Sequence, residues 1–203
     1  MARVDTLNAP PKHSARDTSP DTPASNGGSG ATRQDDAPTS APVTPERAGA
    51  PRRAPNEILT ALAALPDELD RTLHERSSED LLRPARDGGW GVVEVLPHLR
   101  DWEEVLSERI DALLSQERPR LPAYDDDLWA IERDYRGQEP RATLASFRAL
   151  RQDNVARLRD LPPEAWHRTG EHDTLGEVSL QWLTDHICDH DAEHLEQIRD
   201  ALA

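Results

Sequence analysis

From residue 56 onward, apolar positions recur at helical intervals. "NEILTALAALPDELDRTLHER" lines up Leu59, Leu62, Leu65, Leu69 and Leu73 as one stripe. Asn56 reads as the N-cap of this first helix, with Glu57 in its first turn. Pro66 is expected to kink the helix or split it. "SSEDLLRPARDGG" is a connector, and a second amphipathic helix follows from Val92 to Gln116. "RPRLPAYDDDLWAIERDYRGQEP" is a long, acidic, partly ordered crossing that leads to a third helix, "RATLASFRALRQDNVARLRDL". After a loop, "PPEAWHRTGEHD", the last helix is expected to open at Thr174. There Glu177 stands at capping-box spacing, and the helix runs almost to Ala203. No alternating strand pattern and no internal repeat is visible. Four helices with short-to-medium links predict an all-α four-helix bundle over residues 56–203.

Residues 1–55 follow a different pattern. They are rich in Pro, Ala, Ser, Thr and Gly, with almost nothing bulky to bury. Such a segment cannot offset its ordering entropy, so a disordered N-terminal tail is expected. Its charges nearly cancel, which places most of the net charge of −15 in the remainder. That acidity argues against nucleic acid and against an anionic membrane surface as partners. Cys188 is the single cysteine, so neither an internal disulfide nor a thiolate metal cluster is expected. The N-terminus lacks the apolar run of a signal peptide, and no stretch is apolar for about 18 residues. A cytoplasmic protein is the expectation.

The last helix carries "HICDHDAEHLEQI", with His186, His190 and His194 four residues apart. At about 100° per residue, His190 and His194 fall on the apolar face with Leu183, Ile187 and Ile198. His186 and Gln197 lie toward the edge of that face. In the second helix, His98 shares the buried face with Val95, Leu99, Trp102 and Leu106. Two helices thus point imidazoles into one core. Buried polar groups need partners, and one divalent metal satisfies several at once. Histidines at i and i+4 chelate a single ion, and a third from another helix leaves coordination positions open. The same facing also fits core histidines bonded to nearby oxygens, and spacing leaves both readings open.

At these residues the chain resembles the DinB-like family of metal-binding four-helix bundles. "GGWGVVEVLPHLRDWE" is similar to the family's segment at the start of the second helix, and "TLGEVSLQWLTDHICDHDAEHLEQI" to its last helix. The resemblance spans residues 56–203 in helix order and is specific in those two stretches. Carried over residue by residue, it implies that His98, His190 and His194 are the metal ligands. Gln197 then matches a polar position one turn on. Glu193 departs from the family, where many members have a histidine just before the last ligand. Pro97 departs too, removing a helical hydrogen bond to Val93 beside His98. His186 has no role in the family and is expected as a supporting or edge residue, not a fourth ligand.

The resemblance implies several chemistries. The leading expectation is a thiol-dependent transferase, in which a divalent metal (zinc, nickel, iron or manganese) holds a low-molecular-weight thiol as thiolate beside a small electrophile. The alternatives are a metal-dependent hydrolase, in which the metal acidifies a water, and a noncatalytic metal-binding stress-response module. A small-molecule substrate and a homodimer follow from the resemblance as well. Asp101, one turn after His98, is a candidate to orient a ligand or act as a base, or else a surface acid. Arg109, on the His98 face, is a candidate to grip a substrate carboxylate, or else snorkels or pairs with an acid. Asp125 to Asp127 read as a solvated turn or helix cap, Cys188 as inert packing, and the five tryptophans as core or pocket wall.

Overall fold

The computed structural model describes residues 50–86 and 88–203. The expected tail lies outside the described residues as far as residue 49. Arg52 and Arg53, assigned to that tail by composition, are held against the last helix. The Arg52 backbone N–H donates to Asp185 (2.7 Å), and the Arg53 guanidinium reaches Asp185 (2.6 Å) and Asp189 (2.8 Å).

Four long helices form the bundle: α1 (Pro55–Leu73), α3 (Val92–Ser115), α5 (Pro140–Arg159) and α6 (Leu180–Ala201). Two short ones, α2 (Ser78–Leu81) and α4 (Asp126–Glu132), lie in the connections. Helix α1 starts earlier than expected, with Ala54 rather than Asn56 at the N-cap. Pro55 suits the first helical position because it has no N–H to lose, and the Glu57 carboxylate accepts the Ala54 N–H at 2.7 Å. Helix α1 also runs unbroken through Pro66. The proline leaves the Leu62 carbonyl without its helical donor, and the buried Arg151 guanidinium fills that place at 3.1 Å. Helix α3 likewise continues through Pro97.

Helices α1 and α3 each pack on α5 and α6, so the order around the bundle is α1–α5–α3–α6. Two apolar clusters give the helix directions. One holds the start of α1 (Ile58, Leu62), the end of α3 (Leu106, Ile110, Leu113), the end of α5 (Val155, Leu158) and the start of α6 (Leu180, Leu183). The other holds the opposite ends: Leu69 and Leu73, Val92 and Leu96, Leu144 and Phe147, Leu195 and Ile198. Neighbours α3 and α5 therefore run parallel. Parallel neighbours need a crossover as long as the bundle, and this is the work of the acidic segment between Ser115 and Pro140.

Among the described residues the connections also hold three short strands, where the sequence showed no strand pattern. β2 (Thr169–His172) pairs antiparallel with β3 (Gly176–Ser179), and β1 (Arg120–Leu121) pairs parallel with β2. Thr174 therefore sits in a hairpin turn and caps no helix. Gly176 takes φ +73° there, a conformation that a short hairpin loop asks of glycine. Helix α6 opens at Leu180, later than expected, with Ser179 rather than Thr174 at its N-cap and the Ser179 hydroxyl accepting the Trp182 N–H at 3.1 Å.

A polar layer lies between the two apolar clusters. Arg151 of α5 reaches Asp191 of α6 (2.6 and 3.0 Å), Glu103 of α3 (2.8 Å) and the Leu62 carbonyl of α1. One buried guanidinium thereby touches all four long helices. Burial alone would lower its pKa, but Asp191 and Glu103 hold it raised.

Candidate metal centre

Beside this layer, α3 and α6 bring His98, His190 and His194 together. Nε2 of His98 lies 2.9 Å from Nε2 of His190, which lies 3.1 Å from Nε2 of His194. All three Nε2 atoms thus point at one spot. Among the described residues they form a group that could hold a metal ion.

The protonation of His194 follows from its neighbours. The Gln197 Nε2 donates to the Trp90 carbonyl at 3.2 Å, which turns Gln197 Oε1 toward His194 Nδ1 at 2.8 Å. An amide oxygen only accepts, so Nδ1 carries the proton and Nε2 a lone pair. Burial, and then the neighbouring imidazoles, hold His98 and His190 well below the ordinary imidazole pKa. Burial lowers His194 also, although its bond to Gln197 works the other way. All three are neutral near pH 7, the state a metal requires.

Neutral imidazoles cannot satisfy one another in this arrangement. A ring nitrogen carries either a proton or a lone pair, so His190 Nε2 cannot serve both of its short contacts. A single cation facing three lone pairs resolves the conflict. Imidazole–zinc bonds of about 2.0–2.1 Å at tetrahedral angles put nitrogens about 3.3 Å apart, close to the separations of His190 from His98 and from His194, and all three ligand atoms lie within 4.8 Å of one another. The donor set therefore fits a divalent metal.

The three residues that the resemblance implies as ligands are the ones the fold brings together, and Gln197 supports one of them. Among the described residues, His186 lies outside the convergent set. It is exposed, with its ring stacked on Trp182 at 5.1 Å, at the rim of a cavity. Asp101 is fully buried, which corrects its reading as a surface acid. Its carboxylate accepts from Tyr135 (2.8 Å) and Arg100 (2.6 Å) and pairs with Arg133 (2.8 Å). It holds the crossover onto α3 and bonds none of the histidines. Cys188 is buried, with its thiol pushed up to about 12 by burial first and by Asp191 next, in keeping with inert packing.

The cavity, of about 320 Å³, opens against His190. Trp102, Leu106, Trp182, Leu183 and Ile187 give it apolar walls, and Arg109, Asp126 and His172 add polar groups. Two of these were not apparent as site residues from the sequence. Asp125 is the N-cap of α4, accepting the Leu128 N–H at 3.0 Å, as the cap reading expects. Asp126 instead faces the cavity, its carboxyl pushed up to about 6 by burial and then by Asp127 and Asp125. His172 comes from β2, within a segment read as loop. The run of three aspartates and a histidine two residues before a Thr-Leu-Gly turn were the available signals.

The family model described as "DinB superfamily" matches residues 31–198. A protein of Oceanobacillus iheyensis named a "putative metal-dependent hydrolase" is 30% identical over 143 residues, covering 70% of this chain and 83% of its own. YfiT of Bacillus subtilis, given the same description, is 27% identical over 143 residues, 70% of this chain and 80% of its own. A solved structure of YfiT superposes with a TM-score of 0.67 at 26% identity, covering 72% of this chain and 85% of that one. That protein is described as "a probable metal-dependent hydrolase with an unusual four-helix bundle topology". By its fold, its histidine cluster and these matches, the chain belongs to the DinB superfamily.

Proposed function

We propose that this chain is a metal-dependent hydrolase of a small molecule, with His98, His190 and His194 as its metal ligands. The observation that carries the reading is the convergence of three Nε2 atoms, at 2.9 and 3.1 Å, with the central one belonging to His190, which also lines a cavity. The shared description of the relatives supports hydrolysis over the thiol transfer expected from the sequence.

Bound there, a divalent metal supplies Lewis acidity and a water of lowered pKa. Zinc, nickel, iron and manganese all accept imidazole, and three protein ligands leave positions open. Gln197 keeps the His194 proton on Nδ1, away from the site. The apolar walls shield the bound molecule from bulk water and strengthen each polar contact inside. Asp126, with a pKa of about 6, is the group suited to take up a proton near neutrality and return it to a leaving group.

The test uses protein purified without a histidine tag, as wild type and as His98→Ala and His190→Ala. Elemental analysis is expected to find about one metal per wild-type chain and little in either variant. Model esters and amides are expected to turn over without added thiol, and only in the metal-loaded wild type. Consumption of electrophiles that depends on a low-molecular-weight thiol would replace this reading with thiol transfer. Metal binding with neither activity would leave a noncatalytic metal-binding module.

A further inference from the structure

At the cavity wall stands a buried cation that makes no direct ion pair among the described residues, although the Glu108 and Asp126 carboxylates lie near enough to favour its charge. Arg109 is 8% exposed, and among the described residues no carboxylate lies within ion-pair distance of it. Its Nη2 donates to the Pro122 carbonyl at 3.0 Å and to His172 Nε2 at 3.2 Å. Its Nε is buried without a hydrogen-bond partner. A guanidinium stays charged in proteins, and a buried charge without a partner is costly. The sheet adds to the arrangement. Because Arg109 can only donate, His172 Nε2 must accept from it, while Nδ1 faces the Thr174 backbone N–H at 3.3 Å and the Thr174 hydroxyl at 3.2 Å, which fix the ring in place. Neutral His172 thus orients the arginine without cancelling its charge.

We propose that Arg109, oriented by His172, is the carboxylate-binding subsite of this cavity, and that the molecule acted on is a small monocarboxylate with an apolar body. The assignment of that molecule as substrate rests on the hydrolase reading. The binding subsite stands on its own geometry. Arg109 and His190 both contact the Trp102 ring, at 5.4 Å for the guanidinium carbon and 5.8 Å between ring centroids. Trp102 thus forms one wall shared by the arginine and the histidine cluster. Leu106, Trp182 and Leu183 offer its body an aliphatic and aromatic lining. One guanidinium with Asp126 on the same cavity favours a single negative charge over a dianionic phosphate ester.

The experiment is calorimetric titration of metal-free wild-type protein with phenylacetate, hexanoate, their neutral amides and phenyl phosphate. At least one carboxylate is expected to bind about tenfold or more tightly than its amide, the scale of a charge-assisted hydrogen bond. It is also expected to bind more tightly than phenyl phosphate. In Arg109→Gln the acid and amide should bind within about twofold of each other, with amide affinity unchanged, and Arg109→Lys should keep part of the preference. If Arg109→Gln fails to fold, His172→Phe replaces it and is expected to weaken the acid more than the amide. Equal binding of acid and amide by the wild type overturns the proposal, as do an unaltered preference in Arg109→Gln, stronger binding of the phosphate, or no binding of any probe. Without metal or turnover, this result is independent of the hydrolase test. A carboxylate preference with no hydrolysis would remove the activity and leave the subsite.

Discussion

Gln197 touches neither the cavity nor the point where the three Nε2 atoms meet, yet it decides which His194 nitrogen is free. Replacing it with leucine removes the acceptor that holds the Nδ1 proton, and metal affinity is expected to fall about 10- to 100-fold with the fold intact. Competition against a calibrated chelator measures this. The buried histidines also give the metal-free protein a pH signature. Their folded pKa values are depressed, so below about pH 6.5 the unfolded chain takes up protons that the native state refuses. Stability is therefore full above the unfolded value and falls as pH drops through it, by about 1.4 kcal/mol per pH unit for each histidine that titrates only on unfolding. Thermal melts of metal-free protein from pH 7.5 to 5 should show this slope, shallower in His98→Phe. Helical periodicity placed His98, His190 and His194 on the buried faces of two helices with Gln197 toward an edge, and the family resemblance then singled them out. Asp126 and His172 could not be found this way, because their positions depend on a crossover and a hairpin that no periodic pattern announces.

Among the elements, the small sheet is the one hidden in the sequence. "TGEH" and "GEVS" hold few β-branched or aromatic residues, and their pairing comes from the Gly176 turn and from β1 docking alongside. The closest approach is at Gly170, where an added Cβ would lie 2.8 Å from the Pro119 carbonyl and 3.0 Å from the Leu121 side chain. Gly170→Ala must push β1 from β2. It is expected to cost about 1–3 kcal/mol in urea unfolding and, by shifting His172, to loosen Arg109. The helices were visible in outline and shifted at their ends. Pro55 and Glu57 drew α1 forward, and Ser179 displaced the Thr174 cap. Pro66 breaks nothing because Arg151 supplies the missing donor, a compensation that only the assembled bundle contains.

Across the whole molecule, Arg151 is the joint through which the four long helices share a register. Arg151→Met would leave Glu103 and Asp191 buried and unpaired, and a loss of about 3–5 kcal/mol is expected. Replacing Glu103 and Asp191 with leucine at the same time should restore most of that stability, by the midpoint of guanidinium unfolding. A merely peripheral arginine would show neither effect. The parallel pairing of α3 and α5 was likewise beyond the sequence, since apolar stripes give each helix a face but not a direction. What hinted at it was the length of the segment between them.

His98 and His190 are 92 residues apart in the chain and neighbours in space. An ion held between them ties α3 to α6 across that span as a reversible staple, one that exists only in the folded bundle and so stabilises by binding the native chain. The two helices it joins must separate before the bundle opens. The loaded protein should therefore unfold far more slowly than the stripped one and refold at nearly the same rate, because the staple closes only after the helices have met. Stopped-flow unfolding with and without chelator would then time the lifetime of the staple, making mechanical persistence a readout of occupancy even before any substrate is known.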